Sequence, residues 1–531
     1  MKMRTRALRE LLAQLQSVFS CNRRNAARRR KKPTVSESLE SRQFLSASHD
    51  LIGLTALRQD PAFAGIDGSG VSVVVIDSGL DTSHPDIADN YLTGLDIVTG
   101  VTTPTNIDSH GTHVAGIVGS TNSEIGVATG VNLIAIQAGI LDGTGRVGYT
   151  NFAIEESLRW VLEHREQYNI VAVNMSLGGG LYASPDDAAT DPILDEISAL
   201  ESQGVAVVSS AGNDFGDLVI NNEDPTLTGA PGVLSTFNVG AVYDEIEQFT
   251  DAEGNTRPLP YWARAATGYD VALGQLGVVY TETMGPDRIA EFTQRGRPSD
   301  SATLFAPGKR INSTVPGGYE EYDGTSMAAP AVSGAVALVQ EAALEFGGRL
   351  LSVPELQSII LTSADTIHDG DDEDVKVIRG IDADFDFSDR SAASQYAGTG
   401  NTYKRLNVYN AVKSVRAFFP PRQDADGVLT TSVNGPLLKP ANSGALSPIG
   451  RIIEKEYGST VIAGEIGRDS FTRFDDRRAT EQWDVTAKDV DVYRFVVSSH
   501  ATLTVQTQSD SLAPHDFDTF LRLYNAQGAI V

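Results

Sequence analysis

The sequence predicts an α/β fold: a doubly wound, mainly parallel sheet with helices on both faces, followed by a partial all-β, sandwich-like module. Three observations lead there. Residues 71–76 form a near-continuous β-branched run, as in a strand buried on both faces. Apolar runs recur at 133–136, 170–175, 205–208 and 237–239, and helical patterning fills several of the gaps, notably 149–164 and 191–203. Strands alternating with helices imply a parallel sheet covered on both sides. Beyond about residue 460 the period changes to strict alternation, as at 493–497 and 502–506.

Length and composition bound the answer. A chain of 531 residues has room for two or three domains, and 41% apolar residues with 50 glycines fit a turn-rich globular protein. The net charge of −27 is uneven: residues 1–48 carry 12 Lys/Arg and 3 Glu, or +9, leaving −36 for the rest. So acidic a body argues against nucleic acid as a partner. It fits a secreted or cation-binding protein, and it fits equally a surface that is acidic only for solubility. The single cysteine, Cys21, permits no disulfide framework. No apolar run reaches the roughly 18–20 residues that span a membrane. The first apolar stretch, 7–20, contains Arg9, Glu10, Gln14 and Gln16, a poor signal-peptide core. A monomer with no transmembrane segment is expected.

The chemistry is concentrated around Gly324-Thr325-Ser326-Met327-Ala328-Ala329-Pro330. A Gly-led turn delivers a serine, and the small and apolar residues that follow read as a buried helix. Pro330 is expected in its first turn, where a missing N–H costs little. Ser326 would then lie at the positive end of a helix dipole. A small-residue helix start is more often packing than chemistry, so a base and an orienting acid are needed. Asp77 ends the run at 71–76, and His110-Gly111-Thr112-His113-Val114-Ala115-Gly116 opens another small-residue helix. The two histidines lack a carboxylate or cysteine at metal-ligand spacing. The residues themselves leave His110 against His113 open, and Asp77 against Asp81 and Asp86. Position favours Asp77, because the other two fall in the loop after the strand. Asn213 follows the strand at 205–208 and a glycine, as a turn former or as an amide presented at the mouth of the sheet.

Asp77-Ser78-Gly79, the His110 motif, Ala211-Gly212-Asn213 and the Ser326 motif resemble, in that order, the motifs of the subtilisin family (subtilases, peptidase family S8). The resemblance spans about residues 50–418 and includes Asn174-Met175-Ser176-Leu177-Gly178, Leu141-Asp142-Gly143-Thr144-Gly145 and Phe305-Ala306-Pro307-Gly308. It implies a serine endopeptidase with a triad of Asp77, His110 and Ser326. Asn213 and the Ser326 backbone N–H would form the oxyanion hole. The backbones of Ser176, Leu177, Gly178 and of Gly143, Thr144, Gly145 would flank an extended peptide. Protein or peptide substrates are implied, and no cofactor is required for the chemistry.

The remaining segments set the predicted organisation: a basic targeting or processing head at 1–48, a catalytic domain at 49–418, a linker at 419–459 and the β module at 460–531. The head at 35–47 resembles those of exported planctomycete-type proteins, which implies an extracellular or cell-surface location. It leaves little room for the family's usual folded propeptide. The module resembles pre-peptidase C-terminal domains, with too few strands for a full sandwich. Residues 242–289 look inserted, either as a rim to the substrate cleft or as decoration. Acidic clusters after the serine helix suggest structural Ca²⁺ on Asp371, Asp372, Asp374, Asp382 and Asp384, although the spacing is not that of an EF-hand.

Overall fold

A computed structural model describes residues 47–246, 265–281, 285–297, 303–369, 375–381 and 399–419, with short strands at 248–250, 256–258, 394–396, 450–451 and 493–494. The five candidate Ca²⁺ ligands lie outside the described residues, as do residues 1–46 and most of 420–531.

Helices α1 (Ala47–Leu51) and α2 (Leu54–Gln59) lead into β1 (Ser72–Asp77). Helix α3 (Pro85–Ala88), strand β2 (Tyr91–Asp96) and helix α4 (Ser109–Gly119) precede β3 (Asn132–Gln137). A hairpin of β4 (Ile140–Leu141) and β5 (Val147–Gly148) follows, then α5 (Asn151–His164) and β6 (Ile170–Met175). Next come α6 (Leu194–Ser202), β7 (Ala206–Ser210), α7 (Phe215–Ile220), α8 (Ala230–Leu234) and β8 (Phe237–Val242). The segment expected to be inserted holds β9 (Gln248–Thr250), β10 (Thr256–Pro258), β11 (Ala265–Asp270) and β12 (Gln275–Thr281). Strand β13 (Thr303–Pro307) and the hairpin β14 (Ile311–Val315) to β15 (Gly318–Tyr322) then lead to the central helix α9 (Thr325–Gly347). The domain closes with α10 (Val353–Ser363), β16 (Asp365–His368), β17 (Val375–Ile381), β18 (Ser394–Tyr396), β19 (Thr402–Arg405) and α11 (Val408–Phe418).

Nine strands form one sheet in the order β16-β19-β13-β8-β7-β6-β1-β3-β2. Every pairing in it is parallel except β16 with β19. From β1 the chain goes to the edge strand β2, returns to β3 beside β1, and then crosses to β6 on the other side of β1, so β1 is the switch point. In such sheets, sites lie beyond the carboxyl ends of strands at that point, where Asp77 sits. Both faces are covered. Val73 and Val75 join the core built on α9 and α11, whereas Val74 and Ile76 join the one built on α5 and α6. The period of two along a strand puts alternate residues into opposite cores, which is why β1 reads as continuously apolar.

Two sequence expectations change. Pro330 is not in the first turn of α9 but is its sixth residue, inside the helix. Its missing N–H therefore leaves the Ser326 carbonyl without its i+4 partner. The second concerns membrane-spanning length. Helix α9 is long and apolar enough to cross a bilayer, yet it lies buried at the centre of the domain. The cause is that α9 packs on α4, on α11 and on the sheet, so most of its circumference is buried and apolar.

The described residues of 242–289 contribute to a second sheet. Strands β11 and β12 pair with β17 and β18, about a hundred residues away, in an antiparallel sheet ordered β11-β12-β17-β18. That sheet packs on α7 through Phe215, Val219, Ile220, Val279 and Val377.

Candidate active site

Asp77 is the last residue of β1 and is 1% exposed. Its backbone is fixed by Ala138 N–H, and the following glycine makes a turn no other residue could make. Gly79 has φ 103°, and a Cβ there would lie 1.8 Å from the Thr105 carbonyl oxygen. The tight turn brings Ser78 against the start of α4, where Gly111 N–H donates to Ser78 Oγ at 3.0 Å. Asp108 caps that helix by accepting from His110 N–H at 2.8 Å.

His110 is thereby placed over Asp77. Its Nδ1 lies 2.9 Å from Oδ1 and 3.0 Å from Oδ2. An ionised carboxylate accepts, so Nδ1 carries the proton and Nε2 is left with a lone pair for the cleft. Burial acts to lower the imidazole pKa, but the charge and hydrogen bond of Asp77, with Asp108 behind, hold it above its ordinary value.

The alternatives are separated by environment. His113 is fully buried and stacks on Tyr322 at 4.3 Å, and its Nε2 lies 3.0 Å from both the Ile311 and Glu320 carbonyls. Burial pushes its pKa down to about 4. Asp81 folds back on Ser83, and Asp86 accepts from Tyr319 Oη at 2.8 Å. Neither carboxylate touches a histidine of the cleft among the described hydrogen bonds.

Ser326 is the second residue of α9, so its backbone N–H is one of the helix's unpaired donors. Its Oγ donates to the Ser176 carbonyl at 3.3 Å. The carbonyl freed by Pro330 accepts from Ser176 Oγ at 2.8 Å. That hydroxyl is in turn held by Asn174 Nδ2 at 3.0 Å, and Asn174 Oδ1 accepts from Ser333 Oγ at 2.9 Å. A buried polar ladder thus runs from the helix body to the serine turn. Sequence reasoning gave Asn174 and Ser333 no role. The available signal was Asn174 itself, one polar residue in the otherwise apolar run 170–175.

Asn213 closes the other side. Its Oδ1 accepts from Thr325 N–H at 2.9 Å and from Thr325 Oγ1 at 3.0 Å. This fixes the amide orientation, because only the oxygen can accept a backbone N–H, and Nδ2 is left as the donor. Gly212 has φ 110°, and a Cβ there would lie 1.9 Å from Gln294 Oε1. His110, Asn213 and Ser326 line one cleft of about 520 Å³, with Tyr322, Asp323 and Met327 on its wall.

The two expected substrate-flanking segments differ in what they expose. The Leu177 side chain is buried in the core beneath α5. The neighbouring Gly178 is exposed, and a Cβ there would meet nothing within 4 Å. Gly143, Thr144 and Gly145 form the exposed tip of the β4–β5 hairpin, turned by Asp142 Oδ1, which accepts from Thr144 N–H at 2.7 Å and Arg146 N–H at 3.0 Å. Among the described residues, no group of His, Cys, Asp or Glu forms a metal-ligand set.

The sequence model of the subtilase family matches residues 68–399, well over half of the chain. Subtilisin E of Bacillus subtilis (strain 168) is 32% identical over 280 residues, covering 52% of this chain and 56% of that protein. Subtilisin of Bacillus pumilus is likewise 32% identical over 280 residues, covering 52% of this chain and 78% of its own length. The extracellular serine proteinase of Thermus sp. (strain Rt41A) is 30% identical over 274 residues, covering 51% and 50%. The chain thus spans about half the length of most of these relatives. A solved structure of a cold adapted subtilisin-like serine proteinase aligns at TM-score 0.42 and 22% identity, covering 65% of this chain and 91% of that one. The extent of the family match shows that the chain belongs to the subtilase family.

Proposed function

We propose that this chain is a secreted serine endopeptidase that hydrolyses peptide bonds of protein or peptide substrates through an acyl-enzyme. The observation that carries the reading is the His110–Asp77 pair, at 2.9 and 3.0 Å, opening onto the cleft that also holds Ser326 and Asn213. His110 Nε2 takes the Ser326 proton as Oγ bonds to the scissile carbonyl carbon. Asp77 keeps the ring in the productive tautomer and stabilises the imidazolium. The oxyanion receives hydrogen bonds from Asn213 Nδ2 and Ser326 N–H. The C–N bond then breaks, and His110 gives its proton to the departing amine. Water attacks the acyl-enzyme by the same route, with His110 taking its proton and returning it to Ser326 Oγ.

An extended peptide would lie between the exposed hairpin tip at 143–145 and the segment 176–178, where Gly178 is exposed, adding main-chain hydrogen bonds as a strand does. Export is supported by the acidic body of the chain and by the extracellular designation of the Thermus relative. A fluorophosphonate probe tests the reading. Labelling of the folded chain that disappears in Ser326→Ala is expected, with loss of casein cleavage. A folded, head-trimmed chain that neither labels nor cleaves would overturn it.

A further inference from the structure

Tyr149 reaches Asp77 from the segment that follows the β4–β5 hairpin. It directly follows β5, so the hairpin whose tip carries residues 143–145 ends on it. Its hydroxyl donates to Asp77 Oδ1 at 3.3 Å. The same oxygen receives Ser78 N–H at 2.7 Å and His110 Nδ1 at 2.9 Å. Among the described hydrogen bonds, Oδ2 receives His110 alone, at 3.0 Å. The half-buried ring lies beside Gly139. A Cβ there would lie 2.8 Å from Val147 Cγ1 and 3.4 Å from Tyr149 Cε1. Burial, then the charge of Asp77, pushes the phenol pKa up, so the group keeps its proton and acts as a donor to the carboxylate.

We propose that Tyr149 is a positioning residue of the triad: it steadies Asp77 Oδ1, moderates the pull of the carboxylate on His110, and ties that carboxylate to the hairpin flanking the substrate. The proposal rests on the serine endopeptidase reading. The physical argument is one of charge. A hydrogen bond donated to a carboxylate stabilises its negative charge and weakens the field it exerts on a second partner. Oδ1 is shared three ways, so removing the phenol donor leaves more of that charge directed at the imidazole. The imidazolium is then favoured and the His110 pKa rises.

Other groups also face His110. Asp77 comes from β1, Asp108 from the turn before α4, and His113 from the next turn of α4. Across the cleft stand Arg310, Glu321, Tyr322 and Asp323, from the ends of β14 and β15. Tyr149→Phe changes none of these. It removes one oxygen and leaves the ring.

The test is the pH dependence of kcat/KM for wild type and Tyr149→Phe, with the His110 ring titrated in parallel by NMR. Both should move to higher pH by roughly half a unit in the variant. A role in packing alone would lower the melting temperature and leave both titrations in place. Coincident acid limbs and coincident NMR titrations in a folded variant overturn the proposal. If Tyr149→Phe does not fold, 3-fluorotyrosine incorporated at position 149 replaces it. Its more acidic phenol is a stronger donor and should move the limb to lower pH; an unmoved limb overturns the proposal. Should the wild type neither cleave nor label, the endopeptidase reading fails separately, and the NMR titration still decides the contact.

Discussion

The Ser326 carbonyl accepts its hydrogen bond from Ser176 Oγ at 2.8 Å, because Pro330 has no N–H to offer it. A helix defect and a loop hydroxyl are therefore complementary. Ser176→Ala should orphan a half-buried carbonyl and destabilise the fold by about 1–3 kcal/mol. Pro330→Ala returns an N–H four residues on, so the double variant should recover part of that loss. A double-mutant cycle by urea denaturation should give a coupling of about 1 kcal/mol. Strict additivity would mean that the two residues do not share the carbonyl.

The His110–Asp77 pair fixes the sign of the pH response. Catalysis needs neutral His110, and Asp77 holds its pKa above the ordinary 6.5. The acid limb of kcat/KM should thus lie above that value in the wild type. Asp77→Asn removes the charge and should lower kcat by about 10⁴-fold. The residual activity should show its limb at lower pH. A limb that stays in place in Asp77→Asn would show that another group titrates.

Much of this arrangement was legible in the sequence, for physical reasons. β1 was readable because burial on both faces demands an unbroken β-branched run, and Asp77 stands out where that run ends. The start of α4 was readable as a run of small residues, and its glycines mark close approaches: a Cβ at Gly111 would lie 2.2 Å from the Gly79 carbonyl oxygen and one at Gly116 2.2 Å from Thr314 Oγ1. Three features were not readable. Pro330 looks like a first-turn proline, since local preference cannot reveal that the helix begins five residues earlier. Tyr149 after a hairpin looks like any half-buried aromatic. The pairing of β12 with β17 joins segments about a hundred residues apart, and no local period encodes a partner at that distance.

That distant pairing bears on the oxyanion side of the cleft. Gly268 of β11 presses on the first turn of α7, which begins two residues after Asn213. A Cβ at Gly268 would lie 2.8 Å from both Asp217 N and Gly216 C. Both atoms are backbone, so the helix or β11 must shift. Gly268→Ala should lower kcat about 10-fold or more through displacement of the Asn213 amide, with little change in KM. Leu273→Ala, in the exposed turn of the same hairpin, should leave kcat unchanged. An unaltered kcat in Gly268→Ala would mean that the accessory sheet does not support Asn213.

Two buried histidines contribute to loss of stability in acid. His49 Nδ1 is 3.3 Å from Arg58 Nη1, a donor, so its Nε2 carries the proton and donates to the Ile125 carbonyl at 3.2 Å. Burial, with the Arg58 charge, pushes its pKa down to about 4, and burial does the same for His113. In the unfolded chain both titrate near 6.5. Between these values the unfolded state binds more protons, so stability is lost as pH falls from 6.5 toward 4. Each residue contributes roughly 3 kcal/mol to that loss. Carboxylates titrate over part of the same window, so the comparison must be with a variant. His49→Gln keeps one acceptor and one donor but cannot take up a proton. Its unfolding free energy, measured by urea denaturation at several pH values, should fall less steeply than that of the wild type over this window. Parallel curves would show that His49 takes up its proton without unfolding.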